Sequence, residues 1–268
     1  MTRHTRANAA RFCGVAERYD RNRPSPPRIL LELLPRLACA RRPALVVDLG
    51  SGTGLSTRPW AAVARRVVGI EPNGDMRARA VAATRAANVA YMAGFSHATG
   101  LKAASADIVF IMQAIHWMEP GPTWREIVRL LRPGGVLASV HADMPPMIDP
   151  RVDSAIRDVE LTANRVTARR RLDPEERKWG REEHLRTLAK TGRFAFHREI
   201  GLHDTDEGDA ARAMGLAMSM GDTAKALKYG VAERELKLDV LRRIARQVMG
   251  RRRQPWLWTY SALIAVRR

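Results

Sequence analysis

The amino-acid sequence predicts an α/β fold organised around a doubly wound, largely parallel sheet. Two observations carry that expectation. Short runs rich in Val, Ile and Leu alternate with helix-like segments through the first half of the chain, the pattern of βαβ units whose strands are buried on both faces. The first of these runs, "LVVDLGSGTGLST" at residues 45–57, breaks into three glycines at alternate positions, Gly50, Gly52 and Gly54. Glycine loses more backbone entropy on folding than any other residue, so such a cluster implies a tight turn or the close approach of a ligand to the backbone.

The elements follow in order. "ALVVDLG" (44–50) reads as a buried strand, and "STRPWAAVAR" (56–65) as a helix with Pro59 tolerated in its first turn. "RVVGIEP" (66–72) is a second strand, "GDMRARAVAATRAA" (74–87) a helix, "NVAYMAG" (88–94) a third strand and "ADIVFIM" (106–112) a fourth. "TWREIVRLLRPGG" (123–135) is an amphipathic helix closed by Pro-Gly-Gly, feeding a fifth strand, "VLASVHA" (136–142). Beyond residue 145 the chain turns charged and helical, with "RFAFHREIGLHD" (193–204) and "PWLWTYSALIAVRR" (255–268) as strands six and seven. The expected organisation is cap helices at 1–43, a ligand-binding core at 44–145 and a helical lid insertion at 146–180. The core continues at 181–206, a second helical lid follows at 207–252, and a last core strand occupies 253–268. The lids fall where they cover the carboxyl ends of the strands, the place where open α/β sheets bind ligands.

A chain of 268 residues with 46% hydrophobic residues can bury a full core. No apolar run approaches the roughly 18 residues of a membrane span, and the Arg-rich start lacks the apolar segment of a secretory signal. Cys13 and Cys39 form no metal-ligand pattern and no disulfide framework, so a cytoplasmic protein without a metal is expected. The net charge of +18, almost all from Arg, is unusual. It suits an anionic partner such as nucleic acid, an acidic carrier or an acidic metabolite. It equally suits arginines dispersed over solvated faces, because acids interleave with them in "PEERKWGREEHLR". Sparse aromatics give no stacking platform for single-stranded nucleic acid.

Spacing decides what the glycine loop serves. A dinucleotide loop is G-x-G-x-x-G, whereas this one is G-x-G-x-G after a strand carrying Asp48. A carboxylate there opposes a pyrophosphate and suits a ligand bearing an ammonium or other cation. The Gly-Lys-Ser/Thr of a phosphate loop is missing. Glu71 ends the second strand, about twenty residues on, where an acid can accept both hydroxyls of a ribose.

With "VVDLGSGTG", "GIEPNGDM", "QAIHWMEP" and "IVRLLRPGGVLA" in these positions, the chain resembles the class I S-adenosylmethionine-dependent methyltransferases of the small-molecule type, the group that includes aconitate methyltransferases. "FCGVAERYDRNRPSPP" resembles that family's amino-terminal cap helix. The resemblance implies a Rossmann-like seven-stranded sheet of order 3-2-1-4-5-7-6 with strand seven antiparallel, and S-adenosyl-L-methionine as cofactor. It implies cofactor contacts from Asp48, Gly50, Ser51, Gly52, Thr53 and Gly54, from Glu71, Pro72 and Met76, and from Gln113, with Tyr19 and Arg23 closing on the methionine moiety. Many relatives carry an acid just after strand three. Here "AGFSHATGL" offers Phe95 and Ser96 instead, an apolar wall and a hydroxyl for the adenine.

For the methyl acceptor, the sequence excludes more than it names. No D/N-P-P-Y/F follows strand four, and no Cys stands there for a covalent cytosine mechanism; "QAIH" occupies the position. His116 and Trp117 follow strand four directly, and His141 ends strand five. The histidines are candidates for a general base with an acid limb near pH 6.5, or for residues that only position structure or substrate. Trp117 is a candidate wall for the acceptor. His184 and the Met-rich "AMGLAMSMG" are expected in packing. The expected activity is methyl transfer to a small organic molecule, O- or N-directed, with an acidic metabolite or natural-product intermediate suiting the Arg-rich character. Methylation of RNA or a carrier-bound substrate, and a non-catalytic cofactor-binding protein, are the alternatives.

Overall fold

The computed structural model describes residues 2–268, so Met1 of the 1–43 segment lies outside the described residues. Seven strands form one sheet of order β3-β2-β1-β4-β5-β7-β6, as expected. The strands are β1 (Val46–Leu49), β2 (Val67–Ile70), β3 (Val89–Met92), β4 (Ala106–Met112), β5 (Leu131–Ala142), β6 (Phe194–Gly208) and β7 (Gln254–Arg267). The first five run parallel, and β7 inserts antiparallel between β5 and β6.

Alternation along the central strands builds two cores. Val46 in β1 and Ile108, Phe110 and Met112 in β4 face one side. Val47, Leu49, Val109 and Ile111 face the other. A residue on a strand projects opposite to its neighbours, so a strand covered on both faces must be apolar at every position. That is why β4 is a continuous apolar run apart from Asp107, whose carboxylate turns back to accept from the Ala44 and Leu45 amides and from Arg132. The first core packs against α3 (Leu30–Leu37), α6 (Pro150–Arg169), α8 (Ala210–Ser219) and α10 (Leu238–Met249). The second packs against α5 (Pro120–Leu130) and α7 (Arg181–Thr191). The remaining helices are α1 (Arg3–Ala10), α2 (Ala16–Asn22), α4 (Gly74–Ala83) and α9 (Gly221–Lys228). No helix among the described residues is long and apolar enough to cross a membrane.

Three elements differ from expectation. The segment 56–65 is only a short 3-10 turn, Arg58–Ala62. Ser56 and Thr57 spend their hydroxyls on Asp48, and the buried indole of Trp60 anchors the turn edge-on to Phe110 at 5.4 Å. The helix before strand five ends at Leu130, and "LRPGG" already belongs to β5, which carries an irregularity opposite Ala106 to Ile108. The first lid is helical only through α6, and residues 172–180 run as an irregular segment across the site.

That segment is fastened from inside. Arg11, one residue past α1, binds Glu176 and also Asp222 at 3.0 Å, and Lys225 of α9 binds Glu176 too. The side chains of Arg11, Glu176 and Lys225 are 2, 6 and 8% exposed. Buried charges are tolerable only while paired, and removing one partner strands the others away from water. Glu176→Ala is therefore expected to destabilise the fold by about 3 kcal/mol. Glu233→Ala, which removes an exposed pair with Arg242, should cost less than about 1 kcal/mol. Urea denaturation midpoints of the two variants check the contrast.

Candidate functional site

The glycine loop folds back over the end of β2, with the amides of Gly50 and Ser51 donating to the Ile70 carbonyl at 2.8 and 3.2 Å. Gly50, Gly52 and Gly54 all have positive φ, at 70°, 54° and 79°, the region L side chains avoid. Packing adds a second reason at two of them. A Cβ on Gly50 would sit 2.7 Å from Ala114 Cβ, and one on Gly54 would collide with the Tyr91 hydroxyl. At Gly52 a Cβ would meet nothing within 4 Å, because that residue faces open space.

Asp48 lies behind this loop. It is fully buried, and its Oδ2 accepts from Ser56 Oγ at 2.7 Å and Thr57 Oγ1 at 2.6 Å. Oδ1 has no protein partner. Burial, opposed by those two hydroxyls and reinforced by Glu71, pushes its carboxyl up to about 7. Asp48 and Gly54 thus shape the loop from beneath and line none of the cavities described here.

In front of the loop is a cavity of about 830 Å³. Gly50, Gly52, Glu71, Pro72 and Met76 line it together with Phe95, Ser96 and His97 and with Gln113 and Trp117. Glu71 accepts from the Gly52 amide at 3.0 Å and the Asn73 amide at 2.8 Å, and burial raises its pKa against those bonds and the charge of Arg77. Ser96 Oγ bonds Thr123 Oγ1 at 2.8 Å. A smaller space beside the loop, about 370 Å³, is lined by Tyr19, Arg23, Ser51, Thr53 and Gln113 among others. The hydroxyls of Ser51 and Thr53 are buried without a partner, and that of Ser51 lies against Gly69 of β2. Arg23 donates to Ser219 Oγ at 3.0 Å and to the Ser219 carbonyl at 2.8 Å. Burial pulls its pKa down against the nearby Tyr19 and Glu160, and the guanidinium lies over the Tyr19 ring at 5.0 Å.

A further cavity of about 1210 Å³ adjoins both. Tyr19, Gln113, His116, Trp117 and His141 line it together with Asp143, and the lid contributes Arg157, Glu160 and Lys178. The His116 and His141 rings are 6.3 Å apart and nearly perpendicular. Burial, then His141 and Lys178, pushes His116 down to about 3, and burial lowers His141 as well. Both imidazoles are neutral near pH 7, so the acid limb near pH 6.5 expected from the sequence does not apply to His116.

Sequence reasoning missed Thr5 and Asn8, which line the first cavity, because α1 carries no motif. It placed Phe12 only within the cap-like stretch and not in the cavity wall where it lies. Asn8 could have been suspected only as a polar residue that the fold buries, where it bonds the Trp117 and Arg177 carbonyls. Arg157, Glu160 and Lys178 were also missed, since only tertiary packing brings the lid here. Gln113 has a positive φ of 54° just past β4, held by its bond to the Ala142 carbonyl at 2.8 Å. Such strain is common at functional sites.

Comparison with known proteins agrees with this geometry. Residues 47–139 match the family model of a methyltransferase domain. The chain carries a domain of that family. An uncharacterized methyltransferase of Mycobacterium tuberculosis is 37% identical over 143 residues, 52% of this chain and 55% of the relative. A malonyl-[acyl-carrier protein] O-methyltransferase of Enterobacter lignolyticus is 31% identical over 168 residues, 62% of this chain and 66% of the relative. The chain thus spans about half the length of the first curated relatives it matches. Among solved structures, a candidate type II methyltransferase from Anaeromyxobacter dehalogenans superposes with a TM-score of 0.64 at 26% identity, covering 92% of this chain and 97% of that one. Within the methyltransferase domain lie Asp48 to Gly54, Glu71 to Met76, Phe95, Ser96, Gln113, His116 and Trp117. Tyr19, Arg23 and His141 come from outside it.

Two expectations follow for the loop. Folded Asp48 keeps its proton at pH values where the unfolded chain, with a carboxyl near 3.9, has lost it. Its contribution to stability is therefore present below that value and is lost as pH rises towards about 7. Asp48→Asn should remove this fall, gaining on the order of 3 kcal/mol relative to the parent between pH 4 and pH 7.5 in urea titrations without ligand. Gly54→Ala should destabilise by about 2 kcal/mol through collision and positive φ. Adding Tyr91→Ala should recover part of that loss in a double-mutant cycle.

Proposed function

We propose that the protein transfers the methyl group of S-adenosyl-L-methionine to a small organic acceptor, on oxygen or nitrogen, under a lid that selects the acceptor. The observation that carries this reading is the single cavity shared by the glycine loop and the Glu71 carboxylate. The donor set suits the cofactor part by part. Glu71 offers two acceptor oxygens to a ribose diol, and Phe95 with Met76 offers apolar walls to an adenine, with the Ser96 hydroxyl at its edge. Arg23 offers its guanidinium to a carboxylate in the space that Ser51 and Thr53 also line. Asp48, behind the loop, fixes the turn through Ser56 and Thr57 and lines neither of these two spaces.

When bound, S-adenosylmethionine supplies an activated sulfonium methyl group. The protein then has to align a nucleophile with it, and alignment alone can account for several kcal/mol of barrier lowering. Gln113, Tyr19 and Trp117 line both the cofactor cavity and the acceptor cavity, so the reacting atoms would meet among them. His116, neutral and half-buried, orients the acceptor as a hydrogen-bonding imidazole; its low basicity makes it a poor proton acceptor at neutral pH. An acidic metabolite suits Arg157 and Lys178 in the lid. The likeness to a malonyl-[acyl-carrier protein] O-methyltransferase also supports an O-directed reaction.

S-adenosylhomocysteine should raise the Tm of the purified protein, while NAD should not. Stabilisation grows as RT ln(1 + [L]/Kd), about 2.7 kcal/mol at 100-fold excess over Kd. Glu71→Ala should weaken binding about 10- to 100-fold, the scale of lost hydrogen bonds to a charged group. An unchanged Kd in that variant would remove the ribose assignment. With an acceptor found by screening against methyl-labelled cofactor, the rate should show no limb near pH 6.5. His116→Ala should raise KM about 10-fold with turnover little changed.

A further inference from the structure

The reaction as described leaves one large space unused. It is a cleft, open to solvent on one side, of about 1010 Å³ between α7 and the sheet face formed by β5, β7 and β6. Strand register builds its floor. Ser139 lies opposite Leu263, which lies opposite Glu199, and His141 lies opposite Ser261. Directly opposed residues of antiparallel strands project to the same face. Ser261 is also opposite Gly201, an exposed position where an added Cβ would meet nothing within 4 Å, so there is room for a side chain beside the floor at that point. Trp179 and Leu185 form the sides, and the buried Trp124 with Ile115 forms the back. Arg181 and Glu199 also line it and pair with each other.

A cleft walled mainly by apolar atoms leaves that surface against water, which is unfavourable in proportion to its area. A ligand that fills it removes that surface from water. This space also has a link to the chemistry, since His116, His141 and Lys178 line both it and the acceptor cavity. A molecular body lodged here would rest against the same two imidazoles that face the methyl-transfer site. The Trp179 amide donates to the His116 carbonyl at 2.9 Å, which ties the aromatic side wall to the residue dividing the two spaces.

We propose that this cavity holds the apolar body of the methyl acceptor, which is therefore an elongated amphiphile with an aromatic or medium-chain aliphatic body and a polar reacting end. The assignment of this body to an acceptor rests on the methyltransferase reading above; the existence of the binding site does not. A compact polar acceptor would occupy the other cavity alone and leave this one without a ligand.

The test is titration calorimetry of the protein loaded with S-adenosylhomocysteine, using straight-chain alcohols from 1-butanol to 1-octanol and 4-phenyl-1-butanol as probes. Each added methylene buried should tighten binding about fourfold, the equivalent of about 0.8 kcal/mol, until the cavity is full. Gly201→Phe fills the room beside the floor and should weaken 1-octanol at least about 10-fold, with S-adenosylhomocysteine affinity unchanged. Ser261→Trp is the second variant, should the first not fold. Ring nitrogen signals of His116 and His141 in histidine-labelled protein should move with 1-octanol in the parent and not in the filled variant. Absence of probe binding, a Kd independent of chain length, or parental affinity in a folded filled variant would overturn the proposal. Failure of S-adenosylhomocysteine to bind would instead remove the cofactor reading, and titration of the unloaded protein would still decide whether the cavity binds apolar bodies.

Discussion

The site depends on one buried carboxylate. Asp48 sits on a strand with no water around it, and only the Ser56 and Thr57 hydroxyls satisfy it. Those two bonds draw the chain after the glycines back under the loop, which ends the loop at Gly54 and starts the turn that carries Trp60 into the first core. The loop can curl this tightly because three of its residues accept positive φ. Its outer edge then meets Glu71 through the Gly52 amide. The ends of β1 and β2 are thereby locked together, and the cavity wall is a consequence of that lock.

Much of this was legible in the sequence because it rests on local rules. Strand periodicity, glycine spacing and an acid at the end of the second strand are properties of short segments, and β4 came out residue for residue as read. The short turn at 58–62 was misread as a helix because its pattern is helical, while the competing demand of Asp48 for two hydroxyls is a tertiary fact. The same holds at "LRPGG". Pro and Gly mark the end of a helix, and they also mark an irregular strand start, and only the neighbouring β4 decides between them. His116 was legible as a residue beside the site but not as a neutral imidazole, because its basicity is set by burial and by His141, Lys178 and Arg11, three residues far apart in sequence.

The lids illustrate a different limit. Their helices read clearly, yet the functional surface they supply comes from single residues, Arg157, Glu160 and Lys178, that no motif marks. Lys178 is held by Asp222, a member of the group of Arg11, Glu176, Asp222 and Lys225 that joins the cap to both lid segments. Arg157 and Glu160 are placed by α6. The cap, the first lid and the second lid are therefore not independent covers. Moving one requires breaking charged contacts that the other two share.

The same reasoning bears on the charge of +18. Many arginines here are not displayed to a partner but used as clamps on backbone carbonyls. Arg23 holds Ser219, Arg58 holds Thr53, Arg77 holds Glu71, Arg129 holds Leu101 and Arg132 holds Ala38. A guanidinium has five donors in a fixed fork and can serve a carbonyl and a carboxylate at once, as Arg58 does with Thr53 and Asp20. A carbonyl brings no negative charge to balance it. Arg58, Arg129 and Arg132 are balanced by Asp20, Glu126 and Asp107, whereas Arg23 and Arg77 clamp carbonyls and so add positive charge for a structural reason. Loop ends, helix ends and lid joints are where free carbonyls occur, and these are the places the clamps occupy. A strongly basic composition in this fold is thus accounted for in part by how its loops are fastened, and it does not by itself point to a nucleic acid.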